Sequence, residues 1–238
     1  MEITAEKIMQ QLSAGTQVAG VIAVFGEEGY YKDKIAAALP RAVFGDAALE
    51  DREITVFERD TDIKEVSAAV NTYPFFSGRS LVIIKDEKLW GGKDGGEKRK
   101  QQQEELAELL ADVPEHCQVL LLGEKIDKRG KLYKSLLKTA AMVECKSLKS
   151  YQLKPWLDEQ AALRGCCFDY EASQTIMEYL SVTDNAPLLL LEQEIEKLSV
   201  YAGERKIWTK DDIEQTFAAL PEVSRFALLN AIAEKKLG

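Results

Sequence analysis

The chain has 238 residues, of which 46% are hydrophobic and 30% are charged, and its formal net charge is −9. This composition is typical of a globular protein, and no apolar run approaches the ~20 residues of a membrane helix, which excludes a helical membrane protein. The acidic balance also argues against a stand-alone DNA-binding protein, because affinity for phosphates depends on Lys and Arg.

The amino-terminal segment, 1–12, is acidic and amphipathic and has neither the basic nor the apolar region of a signal peptide, so we expect a cytoplasmic protein. The four cysteines show no C-x-x-C spacing, and His116 is the one histidine of the sequence. This set predicts reduced thiols, with neither a zinc site nor a histidine-centred catalytic triad.

Apolar runs alternate with helical patterns through residues 1–147. Strands separated by helices in this way are typical of a parallel sheet that is covered on both faces, so we predict an α/β domain with a five-stranded, mostly parallel sheet. The predicted strands are 21–26, 53–59, 80–86, 117–124 and 141–148, and the predicted helices between them are 30–39, 62–72, 98–113 and 131–140.

The turn between the first strand and the first helix is placed like a nucleotide-binding P-loop, G-x-x-x-x-G-K-S/T. With Gly26 and Lys32 aligned on this pattern, Tyr31 replaces the second glycine and Asp33 replaces the hydroxyl residue. The glycine lets backbone amides close around phosphate, and the hydroxyl binds magnesium. Asp33 would repel a phosphate charge by roughly 4 kcal/mol at about 4 Å and an effective dielectric near 20. We interpret the loop as a degenerate P-loop that holds no cofactor, with an active ATPase as the alternative.

An aromatic segment with the sequence Tyr-Pro-Phe-Phe lies between the second helix and the third strand, at 73–76. Pro74 restrains Tyr73 toward an extended backbone. A short connection cannot easily bury two adjacent rings in one core, and an exposed phenylalanine leaves about 1.5–3 kcal/mol of burial energy unused. One hypothesis is that Phe75 and Phe76 form an apolar plug for a partner protein. The other is that one or both rings pack beneath the edge of the sheet.

Two charged clusters follow in the α/β region. Asp86 and Glu87 come after the third strand as the acidic pair of a Walker B site does, but Lys85 shifts them by one position, which reverses side-chain direction in a strand. We interpret them as turn residues. Five lysines and an arginine lie within 125–138. A solvated loop and helix face explains these basic residues at least as well as a nucleic-acid-binding patch does.

From about residue 148 the pattern becomes helical, and we predict a small helical domain at 148–219. Its amphipathic segments are 151–165, 169–182, 186–203 and 209–220. A final amphipathic stretch at 224–238 has apolar positions that a further helical domain would bury. We therefore expect that 220–238 begins a third domain, which is truncated in this chain.

In order and spacing, these pieces resemble the delta subunits of the bacterial DNA polymerase III clamp loader. The resemblance runs through nearly the whole chain and rests on five segments: 24–34 (VFGEEGYYKDK), 73–86 (YPFFSGRSLVIIKD), 121–136 (LLGEKIDKRGKLYKSL), 188–203 (LLLLEQEIEKLSVYAG) and 207–217 (IWTKDDIEQTF). It implies an AAA+ fold, with a RecA-like α/β domain at 1–147, a helical lid at 148–219 and the start of a collar domain at 220–238.

The resemblance also implies a subunit that binds no ATP, is not itself catalytic within the polymerase holoenzyme, and opens the sliding clamp. In the family pattern an apolar pair precedes two small residues and an arginine that leads into the third strand. Here this pair is Phe75 and Phe76, flanked by Tyr73 and Pro74 and followed by Ser77, Gly78 and Arg79. Phe75 departs mildly from the family, which usually has leucine or another apolar residue there. The implied partners are the sliding clamp and the other subunits of a hetero-pentamer, with DNA bound only weakly within the complex and no membrane.

Overall fold

The computed structural model describes residues 2–16, 18–76, 78–86, 89, 96–181 and 187–217. The chain divides into two units, with the boundary between Lys146 and Ser147. The whole stretch assigned above to a third domain, 220–238, lies outside the described residues, as do Ser77 and Glu87. Among the described helices, none has the length and apolar character needed to span a bilayer.

The first unit alternates strands and helices, as the apolar runs predicted. Its strands are β1 (Glu2–Ile3), β2 (Val21–Phe25), β3 (Glu53–Phe57), β4 (Ser80–Ile84), β5 (Cys117–Gly123) and β6 (Ala141–Glu144). Its described helices are α1 (Ala5–Ser13), α2 (Gly29–Phe44), α3 (Ile63–Asn71), α4 (Glu97–Leu109) and α5 (Lys131–Thr139), and a short 3-10 turn spans Leu49–Asp51.

These strands form one sheet in the order β1-β6-β2-β5-β4-β3, and every recorded pairing is parallel. The predicted α/β class and parallel sheet are therefore confirmed, but the predicted count of five strands is wrong. The sixth strand is β1, in which Glu2 and Ile3 pair with Met142 and Val143 of β6. A two-residue strand is too short to show a periodicity of its own, which is why the sequence pattern did not reveal it.

Helices cover both faces of this sheet, and alternate residues of each central strand point to opposite faces. Val21, Ala23 and Phe25 of β2 belong to a cluster that also contains apolar residues of α3, α4 and α5. Ile22 and Val24 point to the other face and are fully buried. β3 differs because it is one of the two edge strands, and its Ile54 and Val56 are 40% and 44% exposed.

The second unit is helical, as predicted, with one addition. Its described helices are α6 (Ser150–Ala162), α7 (Tyr170–Leu180), α8 (Leu188–Ala202) and α9 (Lys210–Thr216). The addition is a pair of two-residue parallel strands, β7 (Cys167–Phe168) and β8 (Ile207–Trp208). Trp208 is fully buried and its ring packs edge-on against Phe168 at a centroid distance of 5.2 Å. This ring contact anchors the chain segments that lead into α7 and α9.

Candidate functional site

The aromatic segment at 73–76 and the P-loop-like turn at 26–33, which we call the glycine loop, lie at opposite ends of the sheet in the first unit. Since the paired strands are parallel, their amino ends share one end of the sheet and their carboxyl ends share the other. The aromatic segment precedes β4, whereas the glycine loop follows β2. A five-residue strand spans roughly 17 Å at ~3.3 Å per residue, so about this length of strand separates the two features.

The rings of Phe75 and Phe76 lie in solvent and not beneath the sheet edge. Phe75 is 86% exposed and Phe76 is 67% exposed. The two rings contact each other edge to face, with centroids 4.9 Å apart and planes at 80°. They therefore form one compact apolar projection, which we call the aromatic tip.

The residues around the aromatic tip are anchored to the protein. Pro74 is buried, and the ring of Tyr73 lies against His116 at a centroid distance of 5.1 Å. On the far side of the tip, Gly78 has a φ of 65°, which a residue without a side chain adopts at little cost. The amide of Ser80 then donates to the carbonyl oxygen of His116 over 2.8 Å, which joins the start of β4 to the start of β5.

A carboxylate that sequence reasoning missed holds the backbone of the aromatic tip. Oε1 of Glu53 accepts hydrogen bonds from the amides of both Phe75 and Phe76, the second at 3.0 Å. Glu53 is the first residue of β3 and lies more than twenty residues away in sequence. The sequence contains no local signal for this contact, because it depends on how β3 is aligned with β4.

The glycine loop is closed by the backbone of a neighbouring strand end. Gly26 has a φ of 133°, and a Cβ atom at this position would lie 2.0 Å from the carbonyl oxygen of Cys145. The amide of Cys145 donates to Phe25 O over 2.7 Å, and the amide of Glu28 donates to Cys145 O over 3.1 Å. Gly26 is thus required by the packing of two chain segments that follow β2 and β6.

The groups that would bind a nucleotide are engaged within the protein. Lys32 Nζ donates to the carbonyl oxygen of Gly26 over 2.8 Å. The carboxylate of Glu28 accepts from the amide of Tyr30 over 2.9 Å, so it occupies the amino end of α2, where a P-loop places phosphate. Tyr31 is buried in the protein and Asp33 is exposed to solvent. This arrangement does not fit a nucleotide phosphate, because an anionic side chain already lies at the end of the helix.

The acidic residue after β4 is also used internally. Asp86 is only 3% exposed, and its Oδ2 accepts from the amide of Thr61 over 2.9 Å. This bond joins the end of β4 to the segment that enters α3 and gives Asp86 a structural role.

The basic residues within 125–138 include two that pair with carboxylates. Lys128 contacts Glu144 at 2.9 Å and Lys131 contacts Glu104 at 2.6 Å. The hydrogen bond from Lys128 to Glu144 raises the pKa of this lysine. Burial opposes ionisation of Glu144, but hydrogen bonds from Lys128 and Lys146 outweigh it and hold the pKa of this carboxyl below its usual range. These pairings neutralise part of the positive charge that the sequence displays.

The four cysteines differ in how far they are exposed to solvent. Cys117 and Cys145 are buried, Cys166 is partly buried and Cys167 is exposed, and all four are free thiols. Burial raises the pKa of Cys145 to about 12. Within the described ranges, no three residues of the metal-ligating types come together.

Comparison with known proteins places these features in a family. The family model described as DNA polymerase III, delta subunit, matches residues 25–146, which contain both the glycine loop and the aromatic tip. The DNA polymerase III subunit delta of Bacillus subtilis (strain 168) is 29% identical over 223 residues, a match that covers 92% of this chain and 63% of that protein.

Solved structures are also similar to this chain in fold, and two of them serve as examples. The Bacillus subtilis DNA clamp loader delta protein matches with a TM-score of 0.71 and 25% identity, over 89% of this chain and 61% of that one. This chain therefore spans less than two thirds of the length of either Bacillus subtilis protein. A chain of the E. coli MS115-1 HORMA:CdnC:Trip13 complex matches with a TM-score of 0.51 and 14% identity, over 83% of this chain and 73% of that one, and shows a shared fold alone.

Proposed function

The chain belongs to the DNA polymerase III delta subunit family, as its motifs predicted, and we propose that it binds a sliding clamp through the aromatic tip and holds the clamp ring open. The observation that carries this proposal is the exposure of two adjacent phenylalanine rings on an anchored backbone. The proposed partners are the clamp and the other subunits of the loader, and DNA is contacted only within that assembly.

The energetics of the aromatic tip favour a protein partner. Burying a phenylalanine side chain is worth about 1.5–3 kcal/mol, so the two rings together offer roughly 3–6 kcal/mol to an apolar pocket. Paired aromatic residues that enter such a pocket commonly dominate the affinity of an interface. Because the rings already contact each other edge to face, one pocket can receive both of them.

Opening a ring requires more than affinity for it. A partner shifts an equilibrium only by its differential affinity for the two states, so the aromatic tip must bind the open clamp more tightly than the closed clamp. In the glycine loop, Glu28 and Lys32 already form hydrogen bonds within the protein. These bonds favour a subunit that supplies the binding energy without using ATP itself. In the assembled loader, ATP-driven motion of neighbouring subunits would then control access of the tip to the clamp.

The test compares binding of purified sliding clamp from the same organism to the wild-type chain and to the double variant Phe75→Ala/Phe76→Ala. We expect at least a ~100-fold loss of affinity, which corresponds to roughly 3 kcal/mol of lost burial. The rings contribute little to the core, so circular dichroism and thermal unfolding should stay close to wild type.

The matched control is Val200→Ala/Tyr201→Ala, which removes an adjacent apolar pair that is 77% and 56% exposed in the second unit. This variant should bind the clamp as the wild type does. Wild-type affinity in the Phe75→Ala/Phe76→Ala variant would refute the proposed function.

A further inference from the structure

We propose that Glu53 is a positioning residue for the aromatic tip and that it fixes the direction of both rings before a clamp binds. This inference rests on the proposed function. Oε1 of Glu53 accepts from the amide of Phe75 and from the amide of Phe76. Two consecutive amides that converge on one anionic oxygen form a small concave site for that oxygen. Here the oxygen belongs to the protein itself.

The carboxylate is held on a rigid base. Glu53 is the first residue of β3, and its Cα atom is in register with that of Ser80, the first residue of β4. The side chain of Glu53 therefore extends from the strand that pairs with β4, and the aromatic tip precedes β4 in the sequence. The backbone of a surface connection is thereby linked directly to the framework of the first unit.

The double hydrogen bond determines where the rings point. Two amides directed at one atom restrict the backbone dihedrals of Phe75 and Phe76, and those dihedrals set the directions of the Cα–Cβ bonds. Pro74, directly before Phe75, is buried and its ring fixes its own φ angle, so it restricts the backbone on the amino-terminal side of the aromatic tip. Without Glu53 the two exposed residues would lose the contacts that order their backbone, and binding would have to supply that order.

This role requires a hydrogen-bond acceptor at the position of Oε1. Gln at position 53 keeps such an acceptor at the same reach, although a neutral acceptor binds an amide less strongly than a carboxylate does. Ala removes the acceptor altogether. The order of clamp affinity should therefore be wild type, then Glu53→Gln, then Glu53→Ala.

The matched control for charge is Glu58→Ala. Glu58 follows the other end of β3, and its side chain is paired with Lys85 at 3.2 Å at the surface. The Glu58→Ala variant removes the same charge from a residue next to the same strand, and it leaves the aromatic tip unchanged. Wild-type behaviour of this variant would assign any effect of Glu53→Ala to the lost acceptor.

The first measurement uses the free protein and needs no clamp. Amide hydrogen exchange of Phe75 and Phe76, followed by nuclear magnetic resonance, should be roughly tenfold faster in Glu53→Ala than in wild type or Glu58→Ala. Glu53→Gln should lie between them. Unchanged exchange in Glu53→Ala would overturn the proposal, whether or not the chain binds a clamp.

The second measurement is clamp affinity. Glu53→Ala should bind about 10- to 100-fold more weakly than wild type, and Glu53→Gln should recover most of that loss. In the Phe75→Ala/Phe76→Ala background, Glu53→Ala should have little further effect, because there are no rings left to position. Accelerated exchange with wild-type clamp affinity, or an additive effect in that background, would overturn the positioning role.

The two proposals can fail independently. If Phe75→Ala/Phe76→Ala binds the clamp as the wild type does, the proposed function fails, and the exchange measurement still decides whether Glu53 orders the segment. If that variant loses binding while Glu53→Ala keeps it, only the positioning role fails.

Discussion

Replacing Gly26 with alanine distinguishes a structural glycine from a nucleotide-binding glycine. A Cβ atom at position 26 would lie 2.0 Å from Cys145 O, whereas ordinary contacts of a Cβ atom begin near 3.4 Å. The backbone of Gly26 also has a φ of 133°, a conformation that residues with a side chain rarely adopt. The substitution must therefore move either the loop or the segment after β6.

The expected cost follows from these contacts. Forcing an unfavourable φ costs about 1–3 kcal/mol. Moving Cys145 away breaks its two backbone hydrogen bonds, to Phe25 and from Glu28, and each is worth about 0.5–1.5 kcal/mol. Gly26→Ala should thus destabilise the first unit by about 2–6 kcal/mol, a large part of the ~5–15 kcal/mol that stabilises a typical domain.

The assay is urea and thermal unfolding of the purified chain, with Gly29→Ala as the matched control. Gly29 is the first residue of α2, and a Cβ atom there would have no neighbour within 4 Å. Alanine at this position should be neutral or slightly stabilising, because alanine favours a helix more than glycine does. Gly26→Ala should lower the melting temperature by at least about 5 °C.

Two results would refute the reasoning. The first is a Gly26→Ala variant that unfolds within about 1 kcal/mol of the wild type, which would mean that the close approach of Cys145 is not needed. The second is clear stabilisation of the wild-type chain by Mg-ATP, since a ligand that binds only the folded state raises its stability. That result would restore the alternative of an active ATPase.

Two further predictions concern buried groups. Burial raises the pKa of Cys145 to about 12, so iodoacetamide at about pH 8 should label Cys167 in the native protein and reach Cys145 only after unfolding, as peptide mass spectrometry would show. Labelling of both residues at equal rates in native protein would contradict this. Asp212→Ala should destabilise the second unit by about 1–3 kcal/mol in urea unfolding, because Asp212 accepts from the amide of Thr209 and from Arg205. Burial opposes ionisation of Asp212, but these hydrogen bonds outweigh it and lower the pKa of this carboxyl. The difference in unfolding free energy between wild type and Asp212→Ala should therefore persist above about pH 4 and shrink as the pH falls through the pKa of the folded state. A difference that grows in acid would contradict this.

The sheet could be predicted from the sequence where its strands are buried on both faces. β2 and β4 are buried along their whole length, and each contains a run of at least four consecutive apolar residues. β1, β7 and β8 have only two residues each, and their stability comes from partners far along the chain. Strand order was equally out of reach, because it depends on pairings between distant segments.

The candidate site was predictable in its residues more than in its construction. The adjacency of Phe75 and Phe76 in a short connection made their exposure a reasonable hypothesis, and both rings are exposed. The role of Glu53 depends on a contact across the sheet and has no local signal. Glu28 is different, since an acidic residue directly before a helix is a local signal for a cap and could have been recognised.

The placement of the aromatic tip and the glycine loop at opposite ends of one sheet offers a site for chemical attachment. Asp33 is exposed near the amino end of α2, the helix that follows the carboxyl end of β2. An azide-bearing amino acid introduced there would tether the protein to a sensor surface with its two phenyl groups directed away from the support. Attachment to the surface and binding of a partner would then take place at opposite ends of the same sheet.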